Sequence, residues 1–193
     1  MDEAIRLEPE YYWSYETRGY VWRHRNDIQK AIADFSEAIR LGSDESEVYE
    51  SRGRLFFDRG ELDKALADFD EAIRIEPDAA SGYVQRGRAW FVKKEYDKAI
   101  ADTDEALKRN ALLANAYKIR AAAWHQKGDY EKAKADYTEA IRLEPTSAYS
   151  YRSRAQLWEL KNNLDEAISD YTEAIKQGAE INDYIRRGWM WYQ

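Results

Sequence analysis

The sequence contains no cysteine, which excludes a disulfide framework and a thiolate metal site and leaves the redox compartment open. Histidine is nearly as scarce: His24 and His125 are the only two, they lie far apart along the chain, and neither belongs to a metal-binding doublet. The 9 glycines are isolated rather than gathered into a phosphate-cradling loop, so nucleotide-binding motifs are missing. Serines such as Ser36 and Ser169 have no histidine beside them in sequence, and no nucleophile stands out. No apolar run is long enough to cross a bilayer, and Met1 to Glu10, with Asp2, Glu3, Arg6 and Glu8, does not read as a secretory signal. A cytoplasmic location is the default expectation, although a chain cut from a longer protein would have left its targeting signals behind. Positive charge is also in deficit: 30 Lys and Arg against 37 Asp and Glu give a net charge of -7, which disfavours a phosphate-neutralising nucleic-acid binder.

What is present is helix-forming and periodic. The chain is 44% hydrophobic and 14% aromatic, enough to bury a substantial surface. With only 3 prolines in 193 residues and abundant Ala, Glu, Arg, Ile and Leu, local propensity favours helix throughout. Tyr15, Tyr49, Tyr83, Tyr117 and Tyr151 follow one another at intervals of thirty-four residues, and Tyr184 comes one residue early. Four residues after each stands a small residue (Gly19, Gly53, Gly87, Ala121, Ala155, Gly188) and seven after it an aromatic (Trp22, Phe56, Trp90, Trp124, Trp158, Trp191). That spacing puts all three on one helical face. A turn signal follows, clearest at Gly60 and Gly128. A second helix then carries alanines at Ala31, Ala65, Ala99, Ala133 and Ala167 and again seven residues on, bracketing Phe35, Phe69, Tyr137 and Tyr171. Pro9, Pro77 and Pro145 mark helix ends. Each unit is thus a pair of antiparallel helices that cannot bury both apolar faces alone and must stack on the next.

These positions, for example Tyr117, Ala121, Trp124, Gly128, Tyr130, Ala133, Tyr137, Ala140 and Pro145 in one unit, resemble the tetratricopeptide repeat family over nearly the whole chain. The resemblance implies an all-α fold, a right-handed alpha-alpha superhelix built as a solenoid of antiparallel helix pairs. It divides one array into the end of a preceding repeat at 1–11, repeats at 12–45, 46–79, 80–113, 114–147 and 148–180, and a partial repeat at 181–193. Thr103 departs from the pattern where other units have Phe or Tyr, and compensation by Leu107 or Leu112 is expected there.

A recurring charge pair also stands out. Arg18, Arg52, Arg86, Arg120, Arg154 and Arg187 each follow the repeat tyrosine by three residues, and Asp34, Asp68, Asp102, Asp136 and Asp170 recur on the second helices. The members of a pair such as Arg18 and Asp34 lie equally far from the turn and are expected to meet. Recurrence in every unit points to architecture, since an active site occurs once.

The resemblance implies a protein-interaction scaffold, not an enzyme, that holds a peptide or protein segment in the groove lined by first helices and needs no cofactor or metal. The expected groove residues are Tyr20, Phe57, Arg88, Phe91, Lys118, His125, Tyr149, Arg152, Arg186 and Trp189. The amino-terminal units read as mixed to acidic, with Glu16, Arg23, Glu47, Glu50 and Arg54. The later ones read as basic with interleaved aromatics, which suits an acidic peptide. Some relatives clamp chaperone C-termini with lysine, asparagine and arginine. Lys118 and Arg186 fit that clamp, whereas Ala122, Ser153 and Asn182 do not. Two alternatives are a homo-oligomerising module joined head to tail through uncapped ends, with Trp189, Met190, Trp191 and Tyr192 at one of them, and a regulatory segment of a larger enzyme.

Overall fold

The structure is a computed structural model that describes residues 2–178 and 180–191; Tyr192 lies outside the described residues. The chain divides into two compact units, one ending at Lys93 and one beginning at Lys94. The first holds α1 (Asp2–Leu7), α2 (Tyr12–His24), α3 (Ile28–Arg40), α4 (Ser46–Asp58), α5 (Leu62–Ile75) and α6 (Ala80–Val92). The second holds α7 (Tyr96–Arg109), α8 (Ala114–Gln126), α9 (Tyr130–Leu143), α10 (Ala148–Leu160), α11 (Leu164–Lys176) and α12 (Ile181–Met190). The described residues contain no strand.

The turns inside the hairpins repeat one backbone device. Asn26, Gly60, Lys94, Gly128 and Asn162 all have positive φ, between 58° and 81°, which is the left-handed stop that lets a helix end and the chain reverse. Asp27 and Asp129 then cap α3 and α9 by accepting from the backbone N–H groups of Lys30 and Lys132.

Each hairpin closes around the small residue of its first helix. A Cβ at Gly19 would lie 2.8 Å from the Phe35 ring, and one at Gly53 would lie 2.7 Å from the Phe69 ring, so glycine is what lets those rings sit flat against the helix. In the second unit the corresponding pairs are Ala121 with Tyr137 and Ala155 with Tyr171, buried together in two core clusters. Burying one such ring contributes about 1.5–3 kcal/mol. Stacking supplies the rest of each core: Val48 and Leu55 of α4 pack on Ala31 and Phe35 of α3, Leu157 of α10 on Tyr137, and Met190 of α12 on Tyr171.

The arginine series ties hairpins together. Arg18 donates from Nε and Nη2 to both carboxylate oxygens of Asp34 at 2.7 and 2.8 Å. Arg52 does the same to Asp68, Arg120 to Asp136 and Arg154 to Asp170, all at 2.6–2.9 Å. The remaining Nη1 reaches back to the preceding second helix: Arg52 to Ser36, Arg86 to Asp70, Arg120 to Asp104 and Arg154 to Thr138. One planar fork therefore serves its own hairpin and the one before it, which a lysine ammonium does not do. The aspartates are buried, so removing one partner leaves an uncompensated charge.

Thr103 is fully buried and turns its hydroxyl onto the helix carbonyls of Ala99 and Ile100 at 2.8 and 2.9 Å, so the polar group is satisfied inside α7. Leu107 is buried beside it in the same helix, whereas Leu112 is 70% exposed and takes no part.

Candidate functional site

In the first unit the first helices are α2, α4 and α6. Tyr20 of α2 packs edge-on against Phe35, with ring centroids 5.0 Å apart. Arg23, one turn later, lies 5.1 Å above the Tyr20 ring and donates to the Ser51 hydroxyl of α4 at 2.7 Å. Arg54 reaches the same Ser51 oxygen at 3.3 Å. Phe57, a turn further along α4, is covered by the Arg88 guanidinium of α6 at 4.5 Å. Phe91 is half-buried on that helix. Burial, with repulsion from Glu47 adding to it, pushes the Tyr20 hydroxyl up to about 12, against the pull of Ser51 and Arg23.

Of the acidic residues near that face, Glu47 and Asp58 of α4 are exposed, whereas Glu16 and Glu50 are not. The carboxylates of Glu16 and Glu50 are buried and accept hydrogen bonds from Ser43 and Ser81, which lead into and begin the following first helices. Burial pushes the Glu16 carboxyl up; the Ser43 hydrogen bond opposes the rise and Glu45 and Asp44 add to it.

In the second unit the first helices are α8, α10 and α12, and their basic groups are engaged. Lys118 donates to Glu144 at 2.8 Å. Arg152 grips Asp183 with two hydrogen bonds of 2.6 and 2.8 Å and adds Glu180 at 2.7 Å. Arg186 pairs with Glu159 at 2.7 Å. Burial tends to push the Asp183 carboxyl up, but hydrogen bonds from Arg152 and the Glu180 N–H hold it below its usual value. His125 meets Tyr130 edge-on at 5.7 Å, and burial lowers its pKa. Tyr149 is half-exposed, with its ring edge against Tyr137 at 6.2 Å. A recess of about 410 Å³ is lined by Glu159, Asn182, Ile185, Arg186 and Trp189.

The structure therefore brings Tyr20, Phe57 and Arg88 to a common set of first helices, with Arg23 and Arg54 between them, and gathers Arg186 and Trp189 around one recess. Lys118, Arg152 and Arg186 each carry a carboxylate partner. Two of these groups of partners, Glu144 and the Glu180–Asp183 pair, lie in or beside the segments that lead into the next first helix. Their only signal in the sequence is a separation of 26–31 residues from their bases. Ser51, which joins two arginines, carries no chemistry that would single it out in sequence. Among the described residues no group of three or more His, Asp or Glu is placed to hold a metal ion, and no helix is long and apolar enough to cross a membrane.

Family models match within both units: residues 53–91 match one described as TPR repeat, and residues 114–147 one described as Tetratricopeptide repeat. The chain is a tetratricopeptide repeat protein. Solved structures agree. A crystal structure of MamA is 23% identical, with TM-score 0.78 over 88% of this chain and 92% of that one. A tetratricopeptide repeat protein from Parabacteroides merdae is 23% identical, with TM-score 0.80 over 98% of this chain and 75% of the other. YrrB, described as a TPR protein with an unusual peptide-binding site, is 16% identical, with TM-score 0.77 over 95% of each chain. At these identities the likeness is one of fold. No curated protein matches the chain.

Proposed function

We propose that this repeat protein is a non-catalytic scaffold whose first-helix faces hold a peptide or protein segment. The observation that carries this reading is the division of labour between helices. The second helices sink their alanines and rings into the core, while the first helices keep large aromatic and basic groups at the surface, with Trp13, Tyr149 and Trp189 each about half-exposed or more. Exposed aromatics beside cations are what interface anchors are made of. The peptide-binding description of YrrB supports the same use of the fold. Acidic segments suit the basic groups, although in the second unit a ligand carboxylate must displace Glu144, Asp183 or Glu159 to reach Lys118, Arg152 or Arg186.

A diverse peptide array tests the reading, with Phe57→Ala and the double variant Tyr149→Ala, Trp189→Ala as comparisons. Discrete peptides should be retained, and at least one variant should lose about tenfold or more in affinity for them. Retention of no peptide, or binding indifferent to both variants, would sink the proposal.

A second reading, self-association, draws on α12. Ile181, Tyr184, Ile185 and Trp189 recur at helical spacing and are 79%, 52%, 61% and 60% exposed, an apolar stripe in which Ile185 and Trp189 stand at positions where several other first helices carry charged residues such as Glu50, Lys118, Arg152 and Arg54. Sedimentation across a concentration series, with Ile185→Glu as comparison, should show association that the variant abolishes. A monomer at every concentration contradicts it.

A further inference from the structure

The first unit carries a row of arginines that take no carboxylate partner of their own. Arg23 of α2, Arg54 of α4 and Arg88 of α6 form no ion pair among the described residues. Their neighbours are Tyr20, Ser51 and Phe57. Most basic groups elsewhere on this acidic chain are matched, including the bidentate pairs of Arg18, Arg52, Arg120, Arg152 and Arg154. Two of the three unmatched guanidinium groups converge on one hydroxyl oxygen, at 2.7 and 3.3 Å, so like charges are held side by side, an arrangement that costs free energy until an anion joins it. Packing does not require it, because the rings beneath are already seated against Phe35 and the Phe69 cluster. Of the nearby carboxylates, Glu16 and Glu50 are buried against serines, and the exposed Glu47 and Asp58 form no ion pair with the row among the described residues.

We propose that this face, Tyr20, Arg23, Ser51, Arg54, Phe57 and Arg88, docks an extended acidic segment of a partner protein, with side-chain carboxylates received in the guanidinium forks. The inference rests on the scaffold reading above and adds to it the ligand class and the unit that receives it. Arginine forks match carboxylates in two parallel hydrogen bonds, and the aromatic rings beneath hold the forks in place while offering apolar contact to the residues between. The arginines come from successive first helices. An extended chain advances about 3.3 Å per residue, so carboxylates at every third residue recur about every 10 Å along it. A long polyanion suits the face less well: the exposed Glu47 and Asp58 of α4 lie beside it, and the whole chain carries -7.

The test is fluorescence anisotropy with a labelled non-helical peptide bearing glutamate at every third position and its glutamine counterpart. The protein is used intact and as Arg54→Gln, Arg88→Gln. A control of equal charge change, Arg40→Gln, Arg74→Gln, alters exposed second-helix arginines, and thermal melts verify that each variant is folded. The glutamate peptide should bind, the glutamine peptide should bind about tenfold or more weakly, the face variant should lose a similar factor and the control should not. Arg54→Lys, which keeps the charge without the fork, should fall between. Equal binding by face variant and control overturns the proposal, as does full displacement of the peptide by an equal charge of single-stranded DNA. If array peptides bind but acidic ones are not favoured, this inference fails and the scaffold reading stands; if no array peptide binds, the scaffold reading itself fails.

Discussion

The two units use the same repeat position in opposite ways. The residue after the repeat tyrosine, where charged, is Glu16 or Glu50 in the first unit, which also has Val84 there, and Lys118 or Arg152 in the second, which also has Ile185. Every one of the four reaches forward to the segment that leads into or begins the next first helix: the acids to Ser43 and Ser81, the bases to Glu144 and Asp183. The position is a connector whatever its sign. What each unit then offers on its surface is the reverse of its composition. The first unit buries Glu16 and Glu50 and leaves Arg23, Arg54 and Arg88 beside aromatic rings or a hydroxyl, while the second pairs Lys118, Arg152 and Arg186 internally. Counting charges along a helix therefore misjudges the field a partner meets, because pairing decides it.

The largest expected effect comes from breaking the connector of the second unit. Asp183 is 1% exposed, accepts both hydrogen bonds of Arg152 and also receives the Glu180 N–H at the start of α12. Asp183→Asn should cost about 3 kcal/mol, the lower end of the range for a broken buried pair because Arg152 keeps some solvent and Glu180. It should also release Arg152 to bind acidic peptide in the second unit. A melting temperature equal to wild type would show that the connector does not hold α12.

Next in size is the contrast in packing. Gly53→Ala places a methyl 2.7 Å from the Phe69 ring and should destabilise by about 1–2 kcal/mol despite the better helix propensity of alanine. Ala155→Gly, the reverse change against Tyr171, should cost only about 1 kcal/mol. Chemical denaturation of the two variants checks this, and the comparison breaks if Gly53→Ala is stabilising.

The smallest effect is in pH dependence, and its sign separates the units. The Glu16 carboxyl is raised by burial, so its charge opposes folding above the raised value. That penalty is relieved as pH falls through the folded pKa toward the ordinary 4.5. Asp183 is held low, so its contribution is present above the ordinary 3.8 and is lost as pH falls through the folded value below it. Glu16→Gln should therefore raise the melting temperature slightly at pH 7 and not at all near pH 4. A larger gain at the acid end would reverse the assignment.

Much of the fold was legible because its determinants are local and repeated. The tyrosine, small residue and aromatic on each first helix, and the alanine-bracketed ring on each second, declare their faces by spacing alone. Gly60 and Gly128 announced two of the turns. Asn26 and Asn162 take the same positive φ, which asparagine tolerates better than most residues, and Lys94 takes it with nothing in its residue type to announce it. The arginine and aspartate pairs were readable from their equal distance to the turn; the back-reach of each Nη1 to the preceding hairpin was not, since its acceptor alternates among aspartate, serine and threonine. At the surface, the carboxylates that occupy Lys118, Arg152 and Arg186 were not readable, because they come from other helices and linkers whose placement only stacking determines.

The central claim, that Lys118, Arg152 and Arg186 of the second unit are occupied while Arg23, Arg54 and Arg88 of the first are offered, can be measured residue by residue through the exchange of arginine Nε–H protons with water, followed by NMR. Arg152, like Arg120 of the stacking series, should exchange slowly behind its carboxylate, whereas Arg54 and Arg88 should exchange close to the rate of free arginine. An Arg152 proton as labile as that of Arg88, or an Arg88 proton as protected as that of Arg120, would contradict the account.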